Sequence, residues 1–166
     1  KTLSFSKESV FEFKIPRYAE LLNDTYIVLT LPDIWSPVFD CSSNNINDVS
    51  NNFIPYQFQW NKYLGATMIN RITLHSGGNI LSQYSGEWIY NLIERDEGTK
   101  KNLWNKMIGH EPRLYDPASV NNGFYPNAKY DPSGCEPSIK GRKLYIPLMA
   151  WFCNSSKCAL PLIALQ

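Results

Sequence analysis

The chain has 166 residues, a net charge of +1, 43% apolar and 19% charged side chains, and ten Tyr, eight Phe and five Trp. A non-specific nucleic-acid binder needs an excess of Lys and Arg to neutralise phosphates, which this balance excludes, and no apolar run reaches the ~18 residues of a membrane-spanning helix. The length suits one domain with its own core, able to bury roughly 70% of its unfolded surface, and the aromatic load favours strands and interfaces over long solvated helices.

The opening residues, KTLSFSKESV, lack the apolar core of a signal peptide. Val10 to Ile15 (VFEFKI) alternates apolar and polar residues, predicting a half-buried strand. PRYAELLND then reads as a turn or short excursion, and Thr25 to Pro32 (TYIVLTLP) as a β-branched strand closed by Pro32, which has no N–H for a ladder. From Asp40 to Phe53, eight of fourteen residues are Asn or Ser, side chains that compete with backbone hydrogen bonding, so a loop is predicted. Pro55 to Leu64 alternates again, with Tyr56, Phe58 and Trp60 on one face, and ATMINRITLHSGGN continues as a strand carrying Met68, Asn70, Ile72 and Leu74 on one side. Gly77-Gly78 supplies the positive φ angles of a tight turn.

The period then changes. Trp88, Ile89, Leu92 and Ile93 recur at helical spacing within QYSGEWIYNLIERDEG, predicting a short amphipathic helix that packs beneath the strands. KKNLWNKMIG predicts a second short helix closed by Gly109. The segment from His110 to Ile139 holds five of the eleven prolines and reads as a long irregular loop of the kind that faces partners. KLYIPLMAWFC and ALPLIALQ read as two more strands, each interrupted by one proline, Pro147 or Pro161. Six or more strands, long connections and one or two short helices predict an all-β, jelly-roll β-sandwich.

Motifs with chemical meaning are incomplete throughout. SGGN lacks the Gly-Lys-Ser/Thr ending of a phosphate loop, and Ser85-Gly86-Glu87 does not complete a nucleophile elbow. Glu87, Glu94, Asp96 and Glu97 gather around the predicted helix, but Glu87 and Glu94 share one helical face beside Arg95, whereas glycoside hydrolysis needs carboxylates facing each other across a cleft. Trp60, Trp88, Trp104 and Trp151 suit either a sugar-binding face or core and interface anchors. Cys153 and Cys158 enclose four residues, a zinc-like spacing without a second ligand pair, and His75 and His110 are isolated, so Cys41, Cys135, Cys153 and Cys158 read as reduced thiols. The sequons at Asn23 and Asn154 matter only in a secreted chain. No residue is assigned to catalysis, to a cofactor or to a metal.

Two long stretches go beyond a generic β-sandwich. TLHSGGNILSQYSGEWIYNLIE (Thr73 to Glu94) resembles a signature of the major capsid proteins of nucleocytoplasmic large DNA viruses, at Gly77, Gly78, Tyr84, Gly86, Glu87 and Trp88. LYIPLMAWFCNSSKCALPLIALQ resembles the second hallmark of that family, at Leu144, Tyr145, Pro147, Leu148, Trp151, Phe152, Cys153 and the run Ala159 to Leu165, which includes Pro161. FEFKIPRYAELLNDTYIVLTLP is a weaker match to the first two strands of the family. The chain departs from the pattern at Ser76, where an apolar residue is common, and in the turn Asn154, Ser155, Ser156 and Lys157.

The resemblance implies a double jelly-roll subunit of which residues 1–166 are the first, N-terminal jelly roll, the second lying outside this sequence. It implies a non-enzymatic structural protein of an icosahedral virion capsid, built in the cytoplasm of the infected host cell. Three copies would form a homotrimer, a capsomer of six-sided outline that meets neighbouring capsomers and minor capsid proteins without touching nucleic acid or spanning a membrane. The abrupt apolar ending at Gln166 is then expected to find its sheet partners in residues that follow. Two other readings of the residues stand beside it: a minor capsid protein of the same class, and a stand-alone jelly-roll module that binds carbohydrate. An enzyme acting on glycosides through Glu87 would need a second carboxylate across a cleft.

Overall fold

The backbone is organised around one antiparallel ribbon. In the computed structural model, which describes residues 2–4, 6–16, 18–40, 55–96, 98–131 and 134–164, strand β1 spans Leu21–Leu22 and strand β2 Tyr26–Thr30. Strand β3 spans Val38–Asp40, helix α1 Leu64–Thr67, and strands β4 and β5 Ile72–Ser76 and Asn79–Tyr84. Helices α2 (Gly86–Asp96), α3 (Lys101–Met107), α4 (Pro112–Tyr115) and α5 (Pro117–Val120) follow. Strands β6 (Ala128–Asp131), β7 (Gly134–Glu136), β8 (Lys143–Pro147) and β9 (Leu160–Pro161) complete the order. Three 3₁₀ turns lie at Trp151–Cys153, Ser156–Cys158 and Leu162–Ala164.

β2 pairs antiparallel with β8, from Tyr26 opposite Pro147 to Thr30 opposite Lys143. β1 pairs with β9, β3 runs parallel to β6, and among the described residues only β4–β5 and β6–β7 pair strands that are neighbours in the chain. Three of the five strand pairings among the described residues therefore join segments far apart in the chain, as the long connections in the sequence suggested. The strands form small sheets, and among the described residues only α2 and α3 exceed a single helical turn or so.

β8 alternates in burial, with Leu144 and Ile146 inward and Lys143 and Tyr145 outward, the two-residue period of a strand with one covered face. Ile146 joins Ile89 and Ile93 of α2, Ile108 and Ala66 in one core cluster, and Leu144 joins Leu31, Leu114 and Ile139 in a second. Ile89 and Ile93 are one helical turn apart and both fully buried, while Glu87 in the first turn and Arg95 in the last complement the helix dipole.

Several predicted elements take another form. Residues 10–15 join no ladder among the described residues, and Val10 and Phe13 are exposed. Residues 55–61 are not a strand either; Phe58 and Trp60 meet edge-to-face with centroids 5.1 Å apart and pack on the second cluster, while Tyr56 points outward. Apolar alternation reports an amphipathic segment, but a strand also needs a neighbouring backbone to pair with. The strand expected from residue 66 begins only at Ile72, because Tyr63 adopts a positive φ and starts α1.

The proline-rich stretch from His110 to Ile139 is structured over much of its length. Pro112 and Pro117 stand at helix starts, where the missing N–H costs nothing and the fixed φ suits a first turn. Asp116 caps α5 by accepting the Ser119 amide at 3.3 Å. β6, β7 and an isolated bridge between Ile34 and Ile139 follow among the described residues. Of the predicted loop from Asp40 to Phe53, all but Asp40 lies outside the described residues.

Candidate functional site

The residues singled out in the sequence fall on the β4–β5 hairpin, α2, and the stretch from β8 to β9. Gly77 and Gly78 form the two-residue connection of the hairpin, with φ of 54° and 85°, and Ser76 pairs with Asn79 around them. Positive φ at both positions defines the turn whose twist matches the flanking strands. A Cβ on either glycine would meet open space, so backbone conformation alone selects glycine here. The register slips between Leu74 and His75, leaving Leu81 as an extra residue on β5.

Gly86 is required for the opposite reason. A Cβ at this position would lie 1.9 Å from the carbonyl oxygen of Ala66 and 2.8 Å from that of Ile69, and the Gly86 amide donates to the Ile69 carbonyl at 3.0 Å. The first turn of α2 thus sits directly on the backbone leaving α1. Gly65 does the same on the other side, donating its amide to the Ile108 carbonyl at 2.8 Å, with a Cβ there 2.8 Å from Ile146 Cγ1.

Tyr84 joins the two signature segments. Its hydroxyl donates to the carbonyl of Leu148, just past β8, while the Leu148 amide donates to the Thr25 carbonyl at 3.0 Å. The next residue, Met149, has φ of 50°, a left-handed conformation that is uncommon outside glycine, and its side chain packs on the first core cluster. Burial, and then the nearby Cys153 thiol, push the Tyr84 phenol up to about 12.

Trp151 and Phe152 occupy a 3₁₀ turn, not the continuation of a strand as predicted. Successive side chains in such a turn point about 120° apart, so Phe152 is fully buried while Trp151, edge-to-face with it at 5.3 Å, lies outside. Cys153 donates to the Asn23 carbonyl at 3.9 Å, and burial raises its thiol. Pro147 ends β8 opposite Tyr26, and Pro161 faces Leu21 in β9. Among the described residues the predicted final strand is reduced to Leu160 and Pro161 of β9, after which Leu162 turns inward and Ile163 outward.

Of the four carboxylates gathered in the sequence, Glu87 and Glu94 do not converge, and Glu97 lies outside the described residues. Glu94 pairs with Lys101 and accepts from Asn105 Nδ2 at 3.3 Å, a clip between α2 and α3 in which the Lys101 ammonium holds its carboxyl below the usual range. Glu87 is exposed at the start of α2. Trp88, expected to pack beneath the strands, is 47% exposed because Ile89 and Ile93 take the buried stripe. Trp60 and Trp104 pack on the two core clusters, which removes half of a tryptophan face for sugar. The described residues hold no group of three His, Cys, Asp or Glu side chains able to bind a metal, and no helix long and apolar enough to cross a membrane.

Sequence reasoning passed over Gly65, whose signal was a glycine between two predicted strands, a mark of close backbone approach. It also passed over Gly141, where a Cβ would come within 2.5 Å of the Leu31 carbonyl, and the Arg142–Glu111 ion pair, neither of which left a local signal.

Among the described residues of the two signatures, Gly77, Gly78, Tyr84, Gly86, Leu148 and Phe152 act on backbone geometry or packing, the work of a structural building block. The chain belongs to the family of major capsid proteins, whose N-terminal region is matched over residues 2–166. It is similar to a probable capsid protein 4 of Acanthamoeba polyphaga mimivirus (29% identical, covering 92% of this chain and 24% of the relative). It is also similar to the major capsid protein of Phaeocystis pouchetii virus (26% identical, covering 92% and 28%). Among solved structures, that of PBCV-1 VP54, fitted into a cryo-EM reconstruction of the virophage Sputnik, shares the fold with a TM-score of 0.52 and 16% identity over 92% of this chain and 27% of that one. The chain spans about a quarter of the length of the curated relatives it matches.

Proposed function

We propose that these residues are the first jelly roll of a double jelly-roll subunit that builds the shell of a large DNA virus, three copies forming one capsomer. The observation that carries the reading is the family match over residues 2–166, together with the shared fold of a capsid protein structure. The geometry supports it: both signature segments serve one packed unit, with Tyr84 bonded to Leu148 and Gly86 seated on α1.

In this reading the subunit works by presenting rigid surfaces to its neighbours in the virion capsid, after assembly in the host cytoplasm, and minor capsid proteins meet the same shell. The segment of residues 120–124, where Val120 and Phe124 are exposed, is the part of the long proline-rich stretch that reaches neighbours. Sedimentation of the full-length protein tests the proposal. A trimer mass supports it, and a monomer at all concentrations overturns the trimeric capsomer. Deleting residues 120–124 should weaken capsomer packing without preventing trimer formation, read by electron microscopy of assembled shells.

A further inference from the structure

His110 lies between two tyrosine rings. It follows α3 across Gly109 and stacks on Tyr63 with centroids 4.2 Å apart and planes 8° from parallel. On Tyr115, the last residue of α4, it stacks at 5.0 Å and 20°. Tyr63 also meets Tyr90 of α2 at 4.5 Å. The stack thus connects the start of α1, the middle of α2 and the α3–α4 junction.

The charges around the imidazole disfavour a proton on it. The Lys62 ammonium sits 5.0 Å from the centroid of the same Tyr115 ring, so an imidazolium would meet a like charge. Glu94 on α2 is the nearby anion, but Lys101 and Asn105 already engage it, and Glu111 next in the chain is engaged by Arg142. His110 Nδ1 is buried with no hydrogen-bond partner among the described residues, so a proton placed there is a donor without an acceptor. Stacking on tyrosine faces favours a cation, but here that gain is set against Lys62 and the stranded Nδ1.

We propose that the Tyr63–His110–Tyr115 stack is an acid-sensitive latch, closed while His110 is neutral and loosened when it is protonated. Burial, and then Lys62, hold the imidazole below its usual 6.5 in the folded chain. The unfolded segment therefore takes up the proton first. The latch keeps its full stability above pH 6.5 and loses it as pH falls below that value, until the folded state is protonated in turn.

Hydrogen exchange on the full-length protein, corrected for the intrinsic pH dependence of exchange, tests the latch at the amides of residues 62–67, 108–111 and 113–116. Local opening should rise by up to about tenfold per pH unit below 6.5, the limit for one linked proton. His110→Gln should abolish that response, and Lys62→Met should move its midpoint up toward 6.5. A response that persists in His110→Gln overturns the proposal. Should that variant not fold, Lys62→Met decides alone: a raised midpoint supports the latch, and an unmoved midpoint overturns it.

Discussion

Two apolar segments of this chain have opposite fates. In α2, Ile89 and Ile93 are fully buried, whereas between residues 10 and 18 Val10 is 89%, Phe13 68% and Tyr18 94% exposed. Both carry a clear amphipathic period. The difference lies in what is opposite: α2 meets β8, α1 and α3, each of which offers an apolar face, while the described residues offer the first segment no ladder. Burial is worth roughly 25 cal/mol per Å² only when a second surface excludes the water, so periodicity states what a segment is able to bury and not whether it does.

The contrast is sharpest at Gly86. Gly86→Val places side-chain atoms against the Ala66 carbonyl and should cost more than about 3 kcal/mol, since rigid backbone has no room to yield; denaturant unfolding of the full-length protein would show it, and a cost under about 1 kcal/mol would break the account of α2 docking. Ile93→Ala should cost about 3 kcal/mol through transfer and cavity terms. Gly78→Ala should cost about 1 to 2 kcal/mol, because an L-residue there pays for the left-handed conformation although it touches nothing.

Tyr84→Phe should cost about 1 kcal/mol by leaving the Leu148 carbonyl without its donor. Its pH signature is separate. The folded-state phenol is raised from 10.0 to about 12, so the folded chain retains the proton longer than the unfolded one. Its contribution is complete below pH 10.0 and is lost as pH rises toward 12. Ultraviolet titration should show a late phenol in the native protein that is missing in Tyr84→Phe. At the small end, Val10→Ala should change stability by less than about 0.5 kcal/mol, as for an exposed site. A loss above about 1 kcal/mol in the full-length protein would mean that this segment is covered there, and would remove the contrast with α2.

Local chemistry was legible wherever a residue acts through its own backbone or its near neighbours. The Gly77-Gly78 hairpin, α2 from its isoleucine spacing, α3 closed by Gly109, and the β2 and β8 strands all follow from such rules, and the resemblance at Gly77 to Trp88 and Leu144 to Leu165 pointed to the capsid family that the match over residues 2–166 shows. What prolines do at Pro112 and Pro117 was also encoded locally, but the reading as loop gave weight to their breaking role over their starting one. Other features arise from residues distant in sequence. Gly86 is confined by a carbonyl twenty positions earlier, Tyr84 is paired with Leu148, and His110 is enclosed by Tyr63 and Tyr115. The sequence by itself determined the turns, the two longer helices and the family. Which apolar faces are covered, and which polar atoms meet, only the tertiary structure decided, because excluded volume and water exclusion depend on atoms that the local chain does not contain.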